Sequence, residues 1–397
     1  MNRRILALLL VFAMFAALLT GCASDKQETA QSETTHTEQA APEQTAEEAE
    51  ASAEEAQAPA EETPAEAEAV EFTDSLGRTV TLPANITRIA PSGAVATMIL
   101  AAIAPECMVT IHAVPSESQM AFLPANLAAL PETGQMYGSK ANLNLETLLS
   151  ADPQVVIDLG DKKDDMVEDL DALQEQIGLP VIFLEADLPH MAEAFRTLGG
   201  LLAGKTERGE ELASLVDRTT AMAEENAAKI TDDRKVRAMY TTGEDGLGTN
   251  AAGSIQAQVL DLVGVENAVV VEDVSSKGGG NVISLEQLYN FDPDVILFAA
   301  NSIYNTVTDD TAWAQLTAIS TGKYYEVPGS PYSWLSGPPS MNMILGVWWL
   351  GNLIYPEIHD YDMTAMAQEL YKTLWGYDLS ADEVTALLAN STLKAVQ

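Results

Sequence analysis

Leu145-Glu146-Thr147-Leu148-Leu149-Ser150-Ala151-Asp152-Pro153-Gln154-Val155-Val156-Ile157 returns 140 residues later as Leu285-Glu286-Gln287-Leu288-Tyr289-Asn290-Phe291-Asp292-Pro293-Asp294-Val295-Ile296-Leu297. Six of the thirteen positions are identical. Each copy reads as a short helix stopped at Asp-Pro and followed by a buried strand. Proline disfavours helical geometry at the residue before it. The β-branched run beyond suits a strand covered on both faces, as in a parallel sheet. Two copies at domain spacing predict two similar α/β lobes.

The flanking sequence extends the pattern. Arg88-Ile89-Ala90-Pro91 leads through Ser92-Gly93 into a helical run over 94–104, and 108–113 and 179–184 read as further strands of the first lobe. In the second lobe 236–240, 295–299 and 324–327 read likewise. Between them Met191, Phe195, Leu198 and Leu202, then Leu212, Leu215, Val216 and Met222, fall at helical spacing, with a break near Gly204. Strands alternating with helices predict an α/β fold with helices on both sheet faces. Gly199-Gly200-Leu201-Leu202-Ala203-Gly204-Lys205-Thr206 spells a phosphate-loop pattern, but that motif works only between a strand and a helix. Helix-periodic residues precede it here, so it reads as a helix break.

The N-terminus has another character. Arg3 and Arg4 precede an apolar run from Ile5 to Leu19, shorter than the roughly 20 residues that span a bilayer, as in a secretory signal. The run closes with Leu19-Thr20-Gly21-Cys22, which resembles the bacterial lipobox and implies lipid attachment at Cys22 after cleavage. Residues 23 to about 70 hold no aromatic residue and should stay disordered, because they cannot bury enough apolar surface. From Ala23 to Glu71 there are fifteen acidic residues and one lysine, so residues 72–397 keep −27 of the formal −39. Such a balance excludes nucleic acid as partner, since phosphate binding needs Lys and Arg clusters. Cys107 sits in an apolar context as a buried thiol, and two cysteines make no disulfide framework. No pair among His36, His112, His190 and His359 has metal-ligand spacing, which leaves only convergence in space to build a metal site, and no G-x-S-x-G elbow is present.

Phe72-Thr73-Asp74-Ser75-Leu76-Gly77-Arg78-Thr79-Val80-Thr81-Leu82-Pro83 resembles the opening hairpin of the iron-complex and cobalamin solute-binding family of ABC importers. Arg88-Ile89 before a helix, Asn144-Leu145-Glu146, Ser284-Leu285-Glu286, Gly253-Ser254-Ile255-Gln256-Ala257 and Pro338-Pro339-Ser340-Met341-Asn342 occur there in the same order. The resemblance covers roughly 71–390. It implies two Rossmann-like lobes joined by one long rigid helix, with a ligand cleft between them. The expected division is a signal over 1–21, lipidated Cys22 and leash over 22–70, a first lobe over 71–189 and a connecting helix over 190–230. A second lobe over 231–360 and C-terminal helices over 361–397 complete it.

The resemblance further implies capture of a ferric siderophore, haem or a corrinoid, and delivery to a permease and its ATPase by a monomer held to the membrane by its lipid alone. No catalytic residue is implied, and no cofactor beyond the iron or cobalt of the ligand. An oxyanion such as molybdate or tungstate would suit the same role, and a tethered adhesin or scaffold is the reading from another class. Glu146 and Glu286 are implied as permease-docking residues, though the helix dipole also favours first-turn glutamates. Ligands of α/β lobes bind beyond the carboxyl ends of the strands. That nominates Ser92 and Gly93 after the first strand, and the loop before Asn144-Leu145-Glu146 offers Tyr137 and Lys140. In the second lobe the same rule nominates Thr249, Asn250, Lys277, Asn281, Asn301 and Tyr304, while Tyr332 and Trp334 precede a proline-rich segment that resembles a ligand loop of the family.

Overall fold

The computed structural model describes residues 69–138, 141–275, 280–300 and 302–393. The signal, Cys22 and almost all of the acidic leash lie outside that set.

Both copies of the repeat fold alike. Helix Leu145–Ser150 is capped by Asn144, whose side chain accepts from the Thr147 amide at 3.1 Å, and it leads into strand Val155–Gly160. Helix Leu285–Phe291 begins with a reciprocal capping box between Ser284 and Gln287 and leads into strand Val295–Phe298. Leu148 and Leu288 hold the same place in the repeat, and both are fully buried. Asp152 and Asp292 both take left-handed backbone, with φ of 52° and 31°. Aspartate tolerates this geometry better than most side chains because it can hydrogen-bond locally; the Asp292 carboxylate accepts from the Thr317 amide and hydroxyl at 3.2 and 3.0 Å.

Each of these strands is central in its sheet. Val155–Gly160 lies between Ile89–Pro91 and Val181–Glu185, all three parallel, and all six of its residues are buried, as double coverage requires. Val295–Phe298 lies between parallel neighbours Tyr324–Glu326 and Arg237–Thr242. Short strands Gly248–Thr249 and Asn281–Val282 extend this second sheet antiparallel, and Glu266–Asn267 pairs with Arg237–Thr242. The strand expected over 108–113 is reduced to isolated bridges, Met108 with Ile89 and Ile111 with Glu132. Its backbone groups are taken elsewhere: the Ile111 amide donates to the Pro131 carbonyl at 3.0 Å, and the Thr133 amide donates to the Ile111 carbonyl at 2.8 Å.

The single connecting helix expected over 190–230 is instead two, Met191–Leu201 and Thr206–Ala227, which lead from the first sheet to the second. The second, at 22 residues, is about 33 Å long. Between them Gly204 turns the chain at φ 69°. The two helices cross closely at Gly209, where an added Cβ would lie 2.6 Å from the Phe195 carbonyl oxygen. Gly199 belongs to the first of these helices and Lys205 pairs with Glu106, so no strand delivers a phosphate loop here. The long helix is seated on helix Asn342–Ile354 through a 3.0 Å bond from the Trp348 indole to the Thr219 hydroxyl. Eleven of the thirteen residues of Asn342–Ile354 are buried, which is why it is apolar all round. Among the described residues, no helix is long and apolar enough to cross a membrane.

Candidate functional site

A cavity of about 520 Å³ opens at the carboxyl ends of the first sheet's strands, within the usual range for small-molecule sites. Ser92 and Gly93 follow the edge strand and lead into helix Ala94–Ile103. Asp158, Leu159, Asp161 and Lys163 come from the end of the central strand and the loop beyond, and Gln135 and Tyr137 from the preceding loop. The opposite wall is Ile255 and Gln256 with the segment Ser336-Gly337-Pro338-Pro339. Residues from both sides of the connecting helix therefore face one space. A depression of about 510 Å³ around Thr79, Gln174 and Pro180 lies at the amino end of strand Val181–Glu185, away from the edge where such folds bind ligands.

The floor of the cavity is polar and buried. Ser92 is 3% exposed and Asp158 6%, and the Ser92 hydroxyl donates to the Asp158 carboxylate. Burial pushes the Asp158 carboxyl up to about 6, against the opposing pull of the Ser92 hydrogen bond and the Lys163 charge. Lys163 pairs with Asp161 at 3.0 Å and stands 5.5 Å from the Tyr137 ring centroid, within cation–π range. Burial, followed by the Asp158 and Asp169 charges, raises the Tyr137 phenol, which stays protonated. Gly93 leaves room for the neighbouring loop: a Cβ there would lie 3.2 Å from the Gln135 Cβ. Among the described residues the site offers hydroxyl and amide groups, the Asp158 carboxylate at its floor and the paired Lys163 and Asp161 at its rim. Such a set can orient a ligand and exchange it without covalent chemistry.

Of the residues nominated from sequence, Ser92, Gly93 and Tyr137 line this cavity. Lys140, Lys277 and Asn301 lie outside the described residues. The others are placed away from it. Thr249 is fully buried and its hydroxyl donates to the Tyr240 carbonyl at 2.8 Å, while the buried Asn250 accepts at its backbone carbonyl from Asn267 at 2.9 Å. Asn281 ties a loop by donating to the Asp273 carbonyl and accepting from the Ser275 amide. Tyr304 packs on Phe298 and Tyr324. Tyr332 and Trp334, nominated for the ligand cleft, depart from that expectation: both are buried, Trp334 completely, with its ring against Tyr371. The proline- and serine-rich segment around them looks like an exposed loop. It turns inward because Gly346 leaves space, where a Cβ would lie 2.1 Å from the Trp334 carbonyl oxygen.

Sequence reasoning missed Asp158, Asp161, Lys163, Gln135, Gln256 and Ser336. A signal existed for Asp158, the one charged residue in Val-Val-Ile-Asp-Leu-Gly, because a charge at the end of a doubly covered strand needs a reason to be there. Glu146 and Glu286 are exposed first-turn residues at equivalent places in the repeat.

The family model described as periplasmic binding protein matches residues 110–331. An Fe(3+)-citrate-binding protein of Bacillus subtilis is 22% identical over 193 residues, which is 48% of this chain and 58% of that relative's length. The match thus spans little more than half of the relative. Among solved structures, an ABC transporter solute-binding protein from Sulfurospirillum deleyianum is 27% identical, with a TM-score of 0.73 over 80% of this chain and 99% of that one. A periplasmic solute-binding protein from Veillonella parvula is 24% identical, with a TM-score of 0.67 over 82% of this chain and 98% of that one.

Proposed function

The chain belongs to the periplasmic binding protein family, and from that premise we propose that it captures a bulky iron(III) complex, siderophore or haem, outside the cytoplasm and delivers it to the permease of an ATP-driven importer. The observation that carries this reading is the cavity of about 520 Å³ with walls from both sides of the connecting helix. The likeness to an ABC transporter solute-binding protein supports the carrier role, and the likeness to a ferric-citrate-binding protein supports iron as the cargo metal. Capture and release make and break no covalent bond, so the cycle needs no catalytic group. Delivery rests on Glu146 and Glu286, whose equivalent, exposed positions suit two-point contact with a two-fold permease. The lipid on Cys22 keeps the carrier at the membrane face.

Titration calorimetry with ferric citrate, a ferric hydroxamate, haem, cobalamin and molybdate tests the reading. Saturable binding of an iron complex, weakened at least tenfold by Ser92→Ala or Asp158→Ala, is the expected result. Saturable binding of molybdate alone overturns the iron assignment and leaves a solute carrier. Binding of none of the five overturns the carrier reading for this solute class.

A further inference from the structure

Beside the cleft, strand Val181–Glu185 runs into the connecting helices through Glu185, Asp187 and His190. Among the described residues these three form the one group of carboxylate and imidazole side chains whose ligand atoms all lie within 4.8 Å of one another. His190 Nδ1 is hydrogen-bonded to Asp187 Oδ1 and lies 3.9 Å from Glu185 Oε1. The remaining carboxylate oxygens are held from outside the group. Lys162 Nζ holds Glu185 Oε2 at 2.6 Å, and Gln258 Nε2 holds Asp187 Oδ2 at 2.9 Å. Oxygens held in this way fix which lone pairs face inward, as partners behind a metal ligand do. The carboxylate side chains are 20% and 15% exposed and the imidazole 52%, so one side stays open to an entering ion and its waters.

We propose that Glu185, Asp187 and His190 form a site for one divalent first-row transition ion of the zinc class, separate from the cargo in the cleft. Such an ion takes nitrogen and oxygen ligands at about 2.0–2.2 Å and accepts three protein ligands plus water. The three ligand atoms already lie within 4.8 Å of one another, close enough to share one ion after local adjustment. One imidazole with two carboxylates suits Zn²⁺ or Mn²⁺ over a soft ion that prefers thiolate. Binding replaces the proton between Nδ1 and Asp187, which passes to Nε2 or to solvent. The ion would also act across the cleft. Lys162 belongs to the same loop as Asp161 and Lys163, and Gln258 follows directly on the turn that carries Ile255 and Gln256. Gln258 additionally accepts from the Leu188 amide at 3.1 Å, so it grips the segment that bears the ligands. An occupied site would tie both walls of the cleft at their shared flank. None of this depends on which solute the cleft carries.

The test uses the purified, untagged protein with Zn²⁺ alone as probe. Calorimetry should give one Zn²⁺ per chain, Tm should rise by several degrees with excess Zn²⁺, and Co²⁺ should give visible ligand-field absorption. His190→Ala and Glu185→Gln should each weaken Zn²⁺ binding at least tenfold while keeping the metal-free Tm and far-ultraviolet spectrum. Asp158→Asn should leave Zn²⁺ affinity unchanged. The proposal is overturned by a wild type that binds no Zn²⁺, or by binding that survives both site variants. Loss of Zn²⁺ in Asp158→Asn overturns it as well, because the ion would then lie in the cleft.

Discussion

A buried carboxylate at the floor of a cleft is costly when ionised, and at Asp158 that cost has a sign that can be measured. Its folded value of about 6 stands above the roughly 3.9 of an unfolded aspartate. Between these values the folded state binds more protons, so this group's contribution to stability is lost as pH rises from about 4 to 6. Two units correspond to about 3 kcal/mol. Asp158→Asn should therefore be more stable than wild type by about 1–3 kcal/mol at pH 7 and gain nothing at pH 4, as read by urea unfolding at both. An equal gap at the two pH values would show that ionisation is not the cause. Trp334 reverses the expectation set by its neighbours in sequence. Because it is fully buried, Trp334→Ala should cost stability by about 3–5 kcal/mol and should leave the solute affinity of the remaining folded protein within twofold. The sequence distinguished Ser92 and Gly93 as loop residues after a strand and Tyr137 as a loop residue before the first repeat helix, but could not separate Trp334 from them. Polar, proline-rich surroundings report local conformation and say nothing of which way a ring points.

Among the elements, the thirteen-residue repeat was legible because both copies solve one local problem. A capped helix must stop, reverse and feed a strand buried on both faces, and few side chains do that as well as Asp-Pro. The strand expected over 108–113 was not legible, because its apolar pattern was right and its hydrogen-bond partners were not local. Ile111 pairs with the 131–133 segment, some twenty residues on. The repeat also frames a prediction for delivery. Glu146→Arg and Glu286→Arg should each lower uptake by cells several-fold while solute affinity in calorimetry stays unchanged. Placing like charges together at an interface can cost several kcal/mol. Loss of solute affinity in either variant would return that glutamate to the fold or the cleft.

For the whole molecule, the two-lobed α/β plan followed from repeat spacing and strand–helix alternation, whereas the cavity depended on contacts between segments some 90 to 250 residues apart. Its second wall, Gln256 and Ser336–Pro339, carries no charge, and although both stretches lie in or beside motifs shared with the family, neither singles out which side chains face the cavity. Attachment belongs to this scale too. Cys22→Ala should abolish incorporation of labelled fatty acid and release the protein into the medium or periplasm, and an unlabelled wild type would refute the anchor. The 22-residue helix Thr206–Ala227, locked against its neighbours at Gly209 and Thr219, has a consequence for traffic. If the chain serves an importer as proposed, a strut so held predicts an outline nearly the same whether full or vacant, and the importer would have little by which to refuse a vacant one. Vacant carriers would then queue at the same berth. Overproducing this protein while solute is scarce should slow import, and co-expressing a Glu146→Arg, Glu286→Arg copy in its place should relieve the congestion.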